Sequence, residues 1–128
     1  MTEHDHEHGT SVLRALNPLS RDLRARIPEV YGGFRQLHQA ALAPGALPTS
    51  TKELIALVIG VAEGCDGCIA SHARGAARAG ATAQEVAEAI GVAFLMKGGP
   101  ATVYGPRAYA AFCEFAEATP QVRDGVTP

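Results

Sequence analysis

The residues most able to do chemistry lie in one octet, Cys65-Asp66-Gly67-Cys68-Ile69-Ala70-Ser71-His72. Two thiols stand three positions apart, and a histidine follows the second by four. On a helix, neighbours at i, i+3 and i+4 share one stripe, so all three side chains face the same way. Two thiols at that spacing can close a disulfide, with Cα atoms roughly 4.4–6.8 Å apart. A histidine one turn away can take a proton from the nearer thiol. This is a layout for thiol redox chemistry. Only the thiolate attacks, and a free thiol with a pKa of about 8.5 is mostly protonated at neutral pH. Three features favour the thiolate here: a helix N-terminus, the neighbouring sulfur and His72. Cys68 is the better-placed nucleophile, and Cys65 becomes the resolving thiol that condenses with an oxidised Cys68.

A histidine that relays protons is normally oriented by a third group. Glu53 and Glu63 are the candidates. If the helices on either side of Gly64-Cys65 form an antiparallel hairpin, His72 lies opposite Leu57. Glu53 is then about one turn, ~5 Å, farther along, a gap that a water molecule could bridge. Glu63 lies beside the turn and points to solvent. Glu53 has a competing structural role, because Ser50-Thr51-Lys52-Glu53 reads as a capping box in which its carboxylate takes a backbone N–H. Spacing alone does not separate relay from cap.

The elements that must position these groups are all helical. Leu13, Leu16, Leu19, Leu23 and Ile27 recur at three- and four-residue steps, although Pro18 is expected to split that helix and Ser20 to cap a second turn. Pro28 suits the first turn of the next helix, which runs to about Ala43 with Val30, Phe34, Leu37 and Ala41 inward. The third helix, from Ser50, is apolar nearly all the way round and should be buried on every side. Gly64 closes it. The fourth opens at Cys65 or Asp66 and stops at Gly80. Its Ala70, Ala73, Ala76 and Ala77 let another helix approach closely. Thr82-Ala83-Gln84-Glu85 is a second capping box, opening a helix through Val86, Ala89, Ile90, Ala93, Phe94 and Met96. The last helix, about Ala101 to Ala118, is expected to bend at Gly105-Pro106. The fold class is therefore all-α, a single-domain bundle of about six helices. No strand–helix alternation is visible, which disfavours a thioredoxin fold.

Whole-chain properties narrow the function classes. The 128 residues suit one domain at 11–118, between a His/acidic tail at 1–10 and a frayed tail at 119–128. The formal charge of -2 and the 5% aromatic content without Trp argue against nucleic acid as a partner. No run of about 18 apolar residues is present, so no membrane span is expected. The N-terminus is polar and acidic, unlike a secretory signal, and three cysteines are too few for a disulfide scaffold. The default location is cytoplasmic. His4, His6 and His8 at spacing two read as a solvated tail rather than a metal site. No cofactor is expected.

The segment from Glu53 to His72 has a Glu twelve residues before Cys-x-x-Cys and a His four after it. This combination resembles the alkylhydroperoxidase D-like branch of the carboxymuconolactone decarboxylase superfamily. The likeness extends over roughly Ser50 to Phe115, including the Gly80 stop and the capped helix after it. It implies an all-helical oligomer, a homotrimer or homohexamer, that reduces peroxide through the cysteine pair. Glu53 and His72 would relay a proton to Cys68, with Cys65 as its partner thiol and a lipoyl-type or other dithiol as electron donor. The resemblance favours the relay role for Glu53. One position departs from it: the best-studied peroxidases of that branch carry a histidine just before the second cysteine, where this chain has Gly67.

Rival readings remain. Cys65, Cys68 and His72 could supply three zinc ligands, but a fourth would have to come from Cys113 or the N-terminal tail. A thiol–disulfide oxidoreductase without peroxidase activity uses the same residues. A non-catalytic oligomerisation module would treat the cysteines as small buried residues. Lactone decarboxylation, the other activity of the superfamily, does not rely on a cysteine pair. Cys113, among Tyr109, Phe112 and Phe115, reads as core, and His38 as a surface or satisfied histidine.

Overall fold

The computed structural model describes residues 8–118, which form six α-helices and no strand. They are α1 (Thr10–Arg26), α2 (Pro28–Leu42), α3 (Thr49–Glu63), α4 (Asp66–Arg78), α5 (Ala83–Lys97) and α6 (Gly99–Glu117). The all-α expectation holds. The reading of residues 1–10 as a tail falls mostly outside the described residues, as do His4, His6 and the tail at 119–128; at its edge, Thr10 already belongs to α1.

Helices α3, α4, α5 and α6 pack on one another and enclose the core, with α1 laid against α4 and α2 against α1 and α3. Leu57, Val61, Ile69, Val86, Ile90 and Phe112 fill that core. Between them sit alanines: Ala73, Ala76 and Ala77 of α4, and Ala101, Ala108 and Ala111 of α6. Side chains this small let helix axes come close, so the site-bearing α4 is gripped on two sides at little conformational cost.

The punctuation read from the sequence is largely what terminates these helices. Gly64 adopts the left-handed conformation, φ 66° and ψ 39°, where a side chain would be strained. Gly80 has φ 90°. Thr82 and Glu85 make the full capping box, 3.1 Å from the Glu85 N–H to the hydroxyl and 2.8 Å from the Thr82 N–H to the carboxylate.

Five expectations are corrected. Pro18 does not split α1, which runs through it. Pro18 and Arg14 are both exposed, so water can serve the Arg14 carbonyl that loses its helical donor. Ser50-Glu53 is not a capping box. Pro48 is the N-cap with no side-chain bond, and the first turn is tied instead to the end of α2, Thr49 Oγ1 donating to the Leu42 carbonyl (2.8 Å) and Lys52 Nζ to that of Ala43 (2.6 Å). On α2, Val30, Phe34 and Leu37 are more than 60% exposed, because that helix lies at the margin with little to cover it. The third helix is not buried all round, since Ile55 and Ile59 face outward. Finally, Gly105-Pro106 does not interrupt α6. Gly105 is a packing contact: a Cβ there would lie 2.8 Å from Ile90 and 3.0 Å from Phe94, so its absence brings α5 and α6 together.

Candidate active site

The α3–α4 turn builds the thiol end of the site. The N–H groups of Gly64 and Cys65 donate to the carbonyls of Val61 and Gly60, closing α3 and aiming the chain into α4. Cys65 is the N-cap of α4, and its Sγ accepts the Cys68 N–H at 3.1 Å. The two cysteines are joined in a disulfide with Cα atoms 5.2 Å apart, within the range read from the spacing. Cys68 is exposed and Cys65 half-buried, so Cys68 is the more accessible residue of the pair. Gly60 permits the close approach of α3 behind it: a Cβ there would lie 3.3 Å from that of Cys68. Gly67 abuts Leu16 of α1, and beside it Val12, Leu16, Leu19 and Asp66 line a hollow of about 250 Å³.

One turn along α4, His72 Nδ1 is 2.7 Å from Glu53 Oε1. The contact is direct, not bridged across a turn's offset as the hairpin arithmetic expects. The reason is Gly75. A Cβ built there falls within 3.0 Å of all three atoms of the Glu53 carboxyl group, so the carboxylate lies in space that any other residue would fill. Glu53 is 6% exposed, and its burial is compensated by this hydrogen bond. Glu63, the other candidate, is exposed. An ionised carboxylate only accepts, so Nδ1 carries the proton of this bond and Nε2 is left as the basic nitrogen.

The sequence reading missed His38. Its ring stacks on His72, centroids 5.7 Å apart and planes 13° from parallel, and Phe34 is tilted against it at 6.3 Å. Phe34 and His38 are one turn apart on α2, a stripe that was visible, but its target on α4 was not. Farther along, Thr49, Ser71, Arg74 and Arg78 join His38 and Glu53 around a cavity of about 350 Å³. Burial and the like charge of Arg78 pull the Arg74 guanidinium below its ordinary pKa, and Glu53 partly opposes them.

Cys113 is not drawn into the site. It packs against the core, and its interaction with Tyr109, together with burial, pushes that phenol above its ordinary pKa. Among the described residues, no group of three or more His, Cys, Asp or Glu is arranged to hold a metal ion. No helix there is long and apolar enough to cross a membrane.

The chain is similar to several known proteins. An uncharacterized protein of Cupriavidus necator is 38% identical over 85 residues, 66% of this chain and 75% of the relative. Uncharacterized protein 4 in the cox locus of Paracoccus denitrificans is 40% identical over 81 residues, 63% of this chain and 73% of the relative. Among solved structures, the apo form of a carboxymuconolactone decarboxylase family protein from Legionella pneumophila superposes with a TM-score of 0.76 at 40% identity. That match covers 80% of this chain and 92% of the other. A Thermotoga maritima protein superposes with a TM-score of 0.72 at 29% identity, covering 83% and 93%. The family model for carboxymuconolactone decarboxylases matches residues 28–112, from the start of α2 to near the end of α6, and this chain belongs to that family.

Proposed function

We propose that the protein is a thiol-dependent peroxidase of the alkylhydroperoxidase D-like branch. The observation that carries the reading is the Glu53–His72 hydrogen bond set one helical turn from the Cys65–Cys68 pair. In the reduced enzyme, His72 Nε2 takes the proton of Cys68, and Glu53 stabilises the imidazolium that forms. The Cys68 thiolate attacks one peroxide oxygen. The S–O bond forms as the O–O bond breaks, and the departing alkoxide takes the proton back from His72 as alcohol. Cys68 is now a sulfenic acid. Cys65 attacks its sulfur, the S–S bond forms, and water leaves. A dithiol donor then gives two electrons and two protons to the disulfide and itself becomes a disulfide. The exposure of Cys68 over Cys65 suits this division of labour, because the peroxide meets the more accessible cysteine first.

No cofactor enters this cycle. A pair that must return to thiols suits a reducing compartment, and a cytoplasmic location is part of the proposal. A steady-state peroxidase assay with hydrogen and organic peroxides and several dithiol donors, run beside Cys68→Ser, tests it. Turnover that vanishes in the variant supports the reading; equal rates in both overturn it.

Gly67 favours a second reading, because the position that carries histidine in the resembled peroxidases has no side chain here. A thiol–disulfide oxidoreductase without peroxidase turnover would use the same pair and relay. In that case the disulfide exchanges with dithiols while peroxide consumption stays at background. A non-catalytic module of inert buried cysteines is opposed by the exposure of Cys68.

A further inference from the structure

The cavity beyond Glu53 has a composition that the proton relay does not use. Arg74 and Arg78 are one turn apart on α4, two cations that repel each other. Neither makes an ion pair of ordinary length among the described residues. Arg74 is half-buried and carries a desolvation penalty that Glu53 relieves only in part. Ser71 and His38 add polar atoms to the same wall. Arg78 is exposed at the rim. A like-charged arginine pair lining a hollow, one member half-buried and the other at the rim, is stabilised by an anion entering it.

The cavity is also in line with the cysteines. Cys68, Ser71, Gly75 and Arg78 follow one another at steps of three, four and three, which keeps them on one face of α4. Along the axis, Arg74 lies six residues from Cys68 and Arg78 ten, or ~9 and ~15 Å at 1.5 Å per residue. We propose that this cavity binds the carboxylate of a small, elongated ligand whose other end reaches the Cys65–Cys68 pair. Glu53, itself negative and in the wall, sets the charge of that ligand. A monoanion meets less repulsion there than a phosphate dianion, and the planar arginine forks match a carboxylate. The anion site stands on the cavity alone; that the far end of the ligand is a dithiol or a peroxide rests on the redox function proposed above.

Two measurements separate these parts. Calorimetry with octanoate, octanamide and inorganic phosphate reads the anion site without any chemistry. Octanoate is expected to bind, octanamide not to, and phosphate more weakly than octanoate. Arg74→Gln and Arg78→Gln should each weaken octanoate by about tenfold or more, the usual loss for a charge-assisted bond, with Arg74→Lys intermediate. Unchanged thermal melts of the variants exclude unfolding as the cause. Absent octanoate binding, equal binding in the Gln variants, or tighter binding of phosphate overturns the carboxylate site. So does loss of self-association in the variants without octanoate binding, since the anion would then be a carboxylate of a second copy. Kinetics test the alignment: dihydrolipoate and dihydrolipoamide differ only in the acid, and the Arg variants should raise KM for the first and leave the second unchanged. Equal effects on both donors overturn the alignment. If octanoate binds but no dithiol reduces the disulfide, the redox function fails and the anion site stands.

Discussion

The carboxylate of Glu53 occupies the space that a side chain at position 75 would fill, so Gly75 decides whether Glu53 can reach His72. This gives a sign-changing test. Gly75→Ala in the native background forces Glu53 aside and should cost about 1–3 kcal/mol, the usual range for overpacking. In a Glu53→Ala background the obstacle is gone, and the same change should stabilise by about 0.5–1 kcal/mol through helix propensity. Denaturant unfolding of the four proteins gives the cycle. An equal cost in both backgrounds would show that Gly75 does not act through Glu53.

The second prediction concerns the relay. His72→Ala should raise the pH at which Cys68 becomes reactive and slow its oxidation by about 10²–10⁴, the range for a general base. Glu53→Gln is the finer probe: its amide oxygen can still accept from His72 Nδ1, but it no longer opposes the imidazolium charge. It should retain stability better than Glu53→Ala while losing much of the rate. The measurement is alkylation of the reduced pair against pH. A profile unchanged in His72→Ala removes the relay.

How much of this was legible in the sequence depends on how local each signal is. Gly64, Gly80, Pro28 and the Thr82–Glu85 box act within a few residues, and each does in the structure what its chemistry implies. The cysteines and His72 share one octet, so their common face could be read directly. The Glu53–His72 bond spans 19 positions, and its direct geometry depends on the missing side chain of Gly75, which spacing does not reveal. The capping-box pattern at Ser50 misled for the same reason, since the carboxylate serves a distant histidine instead of its own helix end. His38 was out of reach, because nothing in the sequence says how α2 lies on α4. The inward residues assigned to α2 failed on periodicity itself, which finds an apolar stripe but not what covers it.

A third prediction tests the pairing of Tyr109 with Cys113. The neighbouring Cys113 disfavours the phenolate, so Tyr109 should ionise above the usual pKa of about 10. In Cys113→Ala the phenol should titrate at lower pH. The ultraviolet difference between the native protein and Tyr109→Phe isolates this residue from Tyr31 and Tyr104. A curve that does not move when Cys113 is replaced would remove the pairing.

The last prediction is self-association, which we propose from the faces that the chain leaves uncovered. Within one chain, α4, α5 and α6 bury Leu57 and Val61, yet Ile55 and Ile59 on the other flank of α3 remain 47% and 56% exposed. Val92, Leu95 and Met96 of α5 continue that face at 56%, 80% and 74%. Between the two helices, Leu54, Ile55, Val58, Ile59, Ala89 and Val92 line an apolar groove of about 370 Å³. Helices α1, α2 and α6 do not close over it, which removes the alternative that one chain wraps its own third helix. The stripe of Val30, Phe34 and Leu37 on α2 is likewise bare. At ~25 cal/mol per Å² of apolar surface, covering such a face contributes several kcal/mol, comparable with a whole domain's stability. A second copy can supply the cover, and closed symmetric assemblies are the common solution, with a trimer or hexamer expected from the family resemblance. Sedimentation equilibrium at micromolar concentration should show the oligomer, and Ile59→Glu should shift it toward monomer while leaving the helical content intact. A native protein that sediments as a monomer would sink the proposal, and an Ile59→Glu variant that assembles normally would move the interface away from the α3–α5 groove.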